Sequence, residues 1–81
     1  MNYRLSERFE RNFKKFSREV RKAFYKQVKY LLKNLQHSSL HAKKYDETLG
    51  LWQARVTRNV RFYFLIDGET YFLVDIEKHK D

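Results

Sequence analysis

Arginine, glutamine, tyrosine and histidine recur at alternate positions through the last third of the chain: Gln53 and Arg55, then Arg61 and Tyr63, then His79. Alternate residues of a β-strand point to one face. Three neighbouring strands therefore gather these five side chains on one side of a sheet. Arginine offers a planar fork of N–H donors that matches a phosphate. Histidine exchanges a proton near neutral pH. The set suits a phosphate-bearing ligand, although an ordinary solvated sheet face accounts for the same spacing equally well.

The elements that position these residues follow from local pattern. Alternation of apolar and polar residues, dense in β-branched and aromatic types, predicts strands near 51–57, 60–67 and 69–77. Asp67-Gly68-Glu69 marks a tight turn, because glycine accepts a positive φ. Arg58-Asn59 marks a weaker one, with Asn tolerating the left-handed region. The apolar face is expected to hold Trp52, Ala54, Val56, Val60, Phe62, Phe64, Ile66, Thr70, Phe72, Val74 and Ile76. The opposite face then adds Tyr71, Leu73, Asp75 and Glu77 to the five polar residues.

Upstream, Tyr3-Arg4-Leu5 reads as a short edge strand able to join the meander. Ser6 is an N-cap with Glu7 behind it. Phe9, Phe13 and Phe16 follow at helical spacing, giving a helix over about 6–16. Ser17 caps a second helix, about 17–35, with Val20, Phe24, Val28, Leu31 and Leu35 as its stripe. Both stripes read as core. Asn34 to Gly50 is a long polar connection holding His37, His41, Lys43 and Lys44, and such loops often carry function. The two histidines have no evident further ligands, so no metal is expected. Helices followed by strands imply an α+β fold, with two N-terminal helices packed on one face of a small antiparallel sheet.

The 81 residues make one expected domain, 1–81, with a small core. Cysteine is absent, which removes disulfides and cysteine-based zinc sites. No apolar run approaches the roughly 20 residues that cross a bilayer. The start shows no signal-peptide segment, so a cytoplasmic location and no membrane partner are expected. Net charge is +8. Residues 1–35 hold 11 Lys/Arg against 3 Asp/Glu, whereas 36–81 hold 7 of each. The excess sits on the helices and attracts polyanions, nucleic acid first among them.

Lys-Lys-Tyr at 43–45, Leu-Gly-Leu-Trp-Gln-Ala-Arg-Val at 49–56 and Val-Arg-Phe-Tyr-Phe-Leu-Ile at 60–66 complete a pattern begun by the strand and two basic helices. The pattern resembles the RelE/ParE superfamily of bacterial and archaeal toxins, over nearly the whole chain. The stretch from Asp75 to Asp81 resembles the family's last strand and catalytic tail, without the C-terminal helix or late tyrosine of some relatives. The resemblance implies a β-α-α-β-β-β, RelE-like fold and the toxin of a type II toxin–antitoxin pair. On the RelE-like mRNA interferase branch such proteins cleave mRNA in the ribosomal A site. Implied partners are a cognate antitoxin, the ribosome and mRNA, with no cofactor.

Residue by residue, the resemblance places Arg61 on the arginine that contacts the scissile phosphate and Arg55 on a basic position of the preceding strand. His79 falls near the terminal Arg or His used in cleavage. Lys43 and Lys44 fall in the loop before, and Gln53 where some relatives carry Lys. RNA can be cut without metal when its 2′-OH attacks the adjacent phosphorus, given a base, an acid and cations around the phosphorane. Arg61, Arg55 and His79 are the catalytic candidates. Lys43, Lys44, Gln53, His41 and Tyr63 are candidates for RNA binding, with Lys44 or His41 able to complete the catalytic set. Tyr63 could stack on a base or donate to phosphate. A salt bridge from Arg55 or Arg61 to Asp75 or Glu77 is the competing structural role. Two other functions stay open: a ParE-like DNA gyrase inhibitor, and a non-catalytic nucleic-acid or antitoxin-binding module.

Overall fold

Ser6 both ends the first strand and starts the first helix. Its Oγ accepts from the Phe9 N–H at 3.0 Å and donates to the Val74 carbonyl at 2.7 Å, tying the helix start to the last strand. Ser17 repeats the capping, accepting from the Val20 N–H at 3.3 Å. The computed structural model describes residues 1–79. In chain order these form β1 (Asn2–Leu5), α1 (Glu7–Phe13), α2 (Arg18–Lys33), a one-turn 3-10 helix (Ser38–Leu40), β2 (Lys43–Asp46), β3 (Leu51–Thr57), β4 (Val60–Asp67) and β5 (Thr70–Lys78). Both helices and the last three strands lie close to the spans that spacing predicts.

The sheet has five strands in the order β1-β5-β4-β3-β2. It is mixed rather than wholly antiparallel, because β1 pairs with β5 in parallel, Tyr3 opposite Tyr71 and Leu5 opposite Leu73. A parallel pair needs a long crossover, and the two helices with the meander supply it. The connection 34–50 is also more ordered than its polarity implies. It contains the 3-10 turn and β2, which pairs with β3 through Lys43–Gln53 and Lys44–Trp52.

The helices dry one face of this sheet. Phe9, Phe24, Leu31, Leu40, Ala54, Phe62, Phe64 and Leu73 are fully buried there. Phe24 meets Phe62 edge-on, with ring centres 5.6 Å apart, and Phe9 at 5.1 Å. Trp52 stacks on Phe64 and packs against the core, half-buried.

Strict alternation fails in β5. Tyr63 pairs with Asp75 but Phe64 pairs with Leu73, so Val74 is an extra residue in the ladder. Such a bulge reverses which face the preceding residues occupy. Tyr71 and Leu73 consequently lie in the core, and Phe72, expected inside, is exposed. Beyond the bulge the expected parity holds, with Ile76 buried and Asp75 and Glu77 on the other side. Gly68 has φ +58° in the β4–β5 hairpin, as its turn requires. Arg58-Asn59 does turn the chain, but Asn59 keeps negative φ. There the register shifts between Arg55 and Thr57, and that irregularity absorbs the geometry.

Phe24→Ala is expected to lower unfolding free energy by about 3–5 kcal/mol, since it empties the centre of the helix–sheet contact. Urea denaturation followed by circular dichroism measures this.

Candidate active site

On the face away from α2, ladder register lines up polar side chains in rows. Lys43, Gln53, Tyr63 and Asp75 form one row across β2, β3, β4 and β5. Arg55, Arg61 and Glu77 form the next. His79 follows β5, its backbone N–H donating to the Asn59 carbonyl at 2.7 Å. An open cleft of about 350 Å³ at this corner is lined by His41, Ala42, Lys43, Gln53, Arg55, Arg61 and His79. Six of the eight residues singled out from sequence thus share one concavity: Arg55, Arg61, His79, His41, Lys43 and Gln53.

The other two stand apart. Lys44 alternates with Lys43 and takes the helix side, its Nζ 5.5 Å from the centre of the Trp52 ring, a cation–π contact. Tyr63 is in the row but buried, and its Oη accepts from Gln53 Nε2 at 3.2 Å. It is no open stacking platform. Tyr45 is an exposed aromatic on this face, and its ring meets Tyr63 edge-on at 5.0 Å. A neighbouring hollow is lined by Tyr45, Tyr63, Asp75, Glu77 and Arg8 from α1. Neither Tyr45 nor Arg8 stands out in the sequence, because their approach depends on the β2 irregularity and on where α1 crosses the sheet edge.

The two arginines are held differently. Arg61 Nη1 donates to the carbonyls of Thr57, Arg58 and Val60 at 2.8, 3.0 and 3.2 Å, so this nitrogen fastens the β3–β4 turn. Arg55 Nε is buried and has no hydrogen-bond partner. An unmet buried donor costs about 1–3 kcal/mol, more when charged, and an incoming acceptor recovers it. Among the described residues no carboxylate hydrogen-bonds either guanidinium. Asp75 instead accepts from Asn12 Nδ2 at 2.7 Å and from the Ile76 N–H at 2.8 Å.

His41 reaches the cleft in a left-handed conformation, φ 47° and ψ 41°, the one non-glycine residue with positive φ among those described. Such strain persists only where surroundings enforce it. The 3-10 turn before it is fastened by His37, whose Nδ1 accepts from the Ser39 N–H at 3.2 Å while its ring stacks on Tyr30 at 3.8 Å. It is fastened also by Gln27 of α2, a buried polar residue that the helical stripe alone does not single out. The detectable signal was a glutamine three residues after Phe24, on the side that faces the core. Among the described residues no group of three His, Cys, Asp or Glu side chains gathers as a metal site, and no helix is long and apolar enough to cross a membrane.

No protein-family model and no curated protein matches the sequence. Solved structures do match its shape. A YoeB dimer from Staphylococcus aureus superposes with a TM-score of 0.82 at 16% identity, covering 99% of this chain and 98% of that one. The YoeB/ParE toxin from Agrobacterium tumefaciens gives 0.81 at 10% identity, covering 99% and 100%. The fold is that of the RelE/ParE toxins. The RelE/ParE fold extends to the intact RelBE toxin–antitoxin complex of E. coli, at a TM-score of 0.74, 12% identity and coverage of 98% and 96%. On this RelE/ParE scaffold the cation-lined cleft lies on the sheet face opposite α2.

Burial raises the pKa of Tyr63, the Gln53 hydrogen bond lowers it, and the Glu77 carboxylate raises it again. Burial also raises Tyr71. Both phenols therefore add stability that is complete below the ordinary tyrosine value of 10.0 and is lost as pH rises through their folded values. Spectrophotometric titration is expected to show both ionising late. Gln53→Leu is expected to push Tyr63 higher still, because it removes the bond that favours the phenolate.

Proposed function

We propose that this chain is the toxin of a type II toxin–antitoxin pair, a single-domain, ribosome-dependent endonuclease that cuts mRNA and so blocks translation. The observation that carries the reading is the convergence of Arg55, Arg61, Lys43, His41 and His79 on one cleft. A phosphodiester seated there meets cations on several sides. One imidazole takes the proton of the 2′-OH, and the 2′-oxygen attacks phosphorus. Negative charge grows on the phosphorane oxygens, where Arg55, with its unpaired Nε–H, and the free nitrogens of Arg61 donate. The other imidazole protonates the departing 5′-oxygen, leaving a 2′,3′-cyclic phosphate and a 5′-hydroxyl. His41, just before β2, and His79, just after β5, both line the cleft and are the two candidates for these roles. The cations lining the cleft supply the charge stabilisation.

Toxins of this fold are found with antitoxins: the S. aureus YoeB with YefM and the E. coli RelE with RelB. A cognate antitoxin is accordingly the expected partner here. The exposed Arg8, Arg11, Lys14, Lys15, Arg18, Lys22, Lys26, Lys29 and Lys33 of the helical layer form a surface suited to ribosomal RNA. Ribosomes place the proposed activity in the cytoplasm.

Purified protein added to ribosomes on a reporter message is expected to cut within translated codons, read by primer extension. Arg55→Ala should slow single-turnover cleavage by roughly 10²–10³-fold, the scale of one lost transition-state donor. His79→Ala should slow it by roughly 10²–10⁴-fold, the scale of a lost general acid or base. Growth arrest that survives His79→Ala with message intact and DNA broken would point to gyrase instead.

A further inference from the structure

Gln27 sits on the core side of α2, only 6% exposed, among Phe24, Val28 and Leu31. An amide in an apolar layer is tolerated only when its donors and acceptor are met. All its bonds go to two places. Nε2 donates to the Ser39 carbonyl at 3.0 Å and to the Arg55 carbonyl at 2.8 Å, and Oε1 accepts from Ser39 Oγ at 3.0 Å. Ser39 belongs to the 3-10 turn that delivers His41 and Lys43 to one wall of the cleft. Arg55 lines the same cleft from β3, at the point where the β3 register shifts against β4.

One buried side chain thus ties both of these cleft-lining segments from the core side. We infer that Gln27 is a positioning residue, which sets the separation between the His41–Lys43 wall and Arg55 and hence the fit of a phosphodiester between them. The inference rests on the nuclease reading. Apolar packing alone would not require glutamine here. A methionine of similar length would hold α2 to the sheet without desolvating an amide. What methionine cannot do is bind two backbone carbonyls from different segments at once. The same clamp explains how His41 is kept in its left-handed conformation, since the turn preceding it is tied down at Ser39 from both His37 and Gln27.

The test is a double-mutant cycle. Gln27→Met is expected to slow single-turnover cleavage of ribosome-bound message by roughly 10–100-fold, the scale of a misplacement of about 1 Å. The ribosome concentration giving half-maximal rate should not change, because the outer basic surface is untouched. In an Arg55→Ala background the same substitution should cost clearly less, since one of the two groups whose separation it sets is gone. Losses that simply add, or wild-type cleavage by Gln27→Met, would overturn the inference while leaving the nuclease standing. Ser39→Ala removes only the Oγ–Oε1 bond and provides a milder variant with the same expected dependence on Arg55, should Gln27→Met not fold. If the unmodified protein cuts no message, the nuclease reading fails. The clamp is then judged by titrating inorganic phosphate against the NMR signals of Arg55 Nε–H and the Lys43 amide. An altered response in Ser39→Ala supports it, and an identical response sinks it.

Discussion

The contact of α2 with one face of the sheet governs everything else in this molecule. Phe24 stands edge-on to Phe62 and touches Phe9, so three rings from α1, α2 and β4 meet at one point. Burying each such side chain is worth about 1.5–3 kcal/mol. A small domain has no second core to fall back on. With one face dried, the other must carry the chain's polar strand residues, and the arginines collect there. The outer surfaces of the helices take most of the remaining positive charge. A two-sided hydrophobic sheet would leave no cleft, and a helix on the open face would cover it.

Grouping like charges costs stability in the unliganded protein. At a net charge of +8 the whole chain is self-repelling. In the cleft the pressure is sharper, because Arg55 Nε has no partner and Asp75 is held by Asn12 rather than by a guanidinium. His41 adds backbone strain at the same corner. Local sacrifices of this kind are expected where a fold is shaped for an anion rather than for its own stability. Arg61 is divided, with its Nη1 bound to three carbonyls of the turn.

Identity of 10–16% with the matching structures accompanies near-complete superposition. The two are compatible because the shared information is pattern. Helical stripes, N-caps and alternating strands specify the layers, and many residues satisfy each position. Site chemistry is carried by fewer positions. Six of the eight residues singled out from sequence reach the cleft: Lys43, Gln53, Arg55 and Arg61 through strand register, His41 from the turn before β2 and His79 from just after β5. Lys44 misses it because adjacent strand residues face opposite sides, and Tyr63 lies beneath its surface because Tyr45 and Gln53 cover it.

What depends on near neighbours was legible along the chain. Ser6 and Ser17 as caps, the two helical stripes, the Gly68 hairpin and the alternation of β3 and β4 are set within a few residues, where sterics and hydrogen bonding act locally. The grouping of Arg55, Arg61 and His79 was legible too, since strand parity beyond residue 74 is unbroken. Tertiary structure alone decided the parallel pairing of β1 with β5, the extra residue Val74, the strand at 43–46 and the bridging by Gln27. Each depends on contacts between segments far apart in the chain, where a carbonyl or ring finds its partner only after the layers have closed.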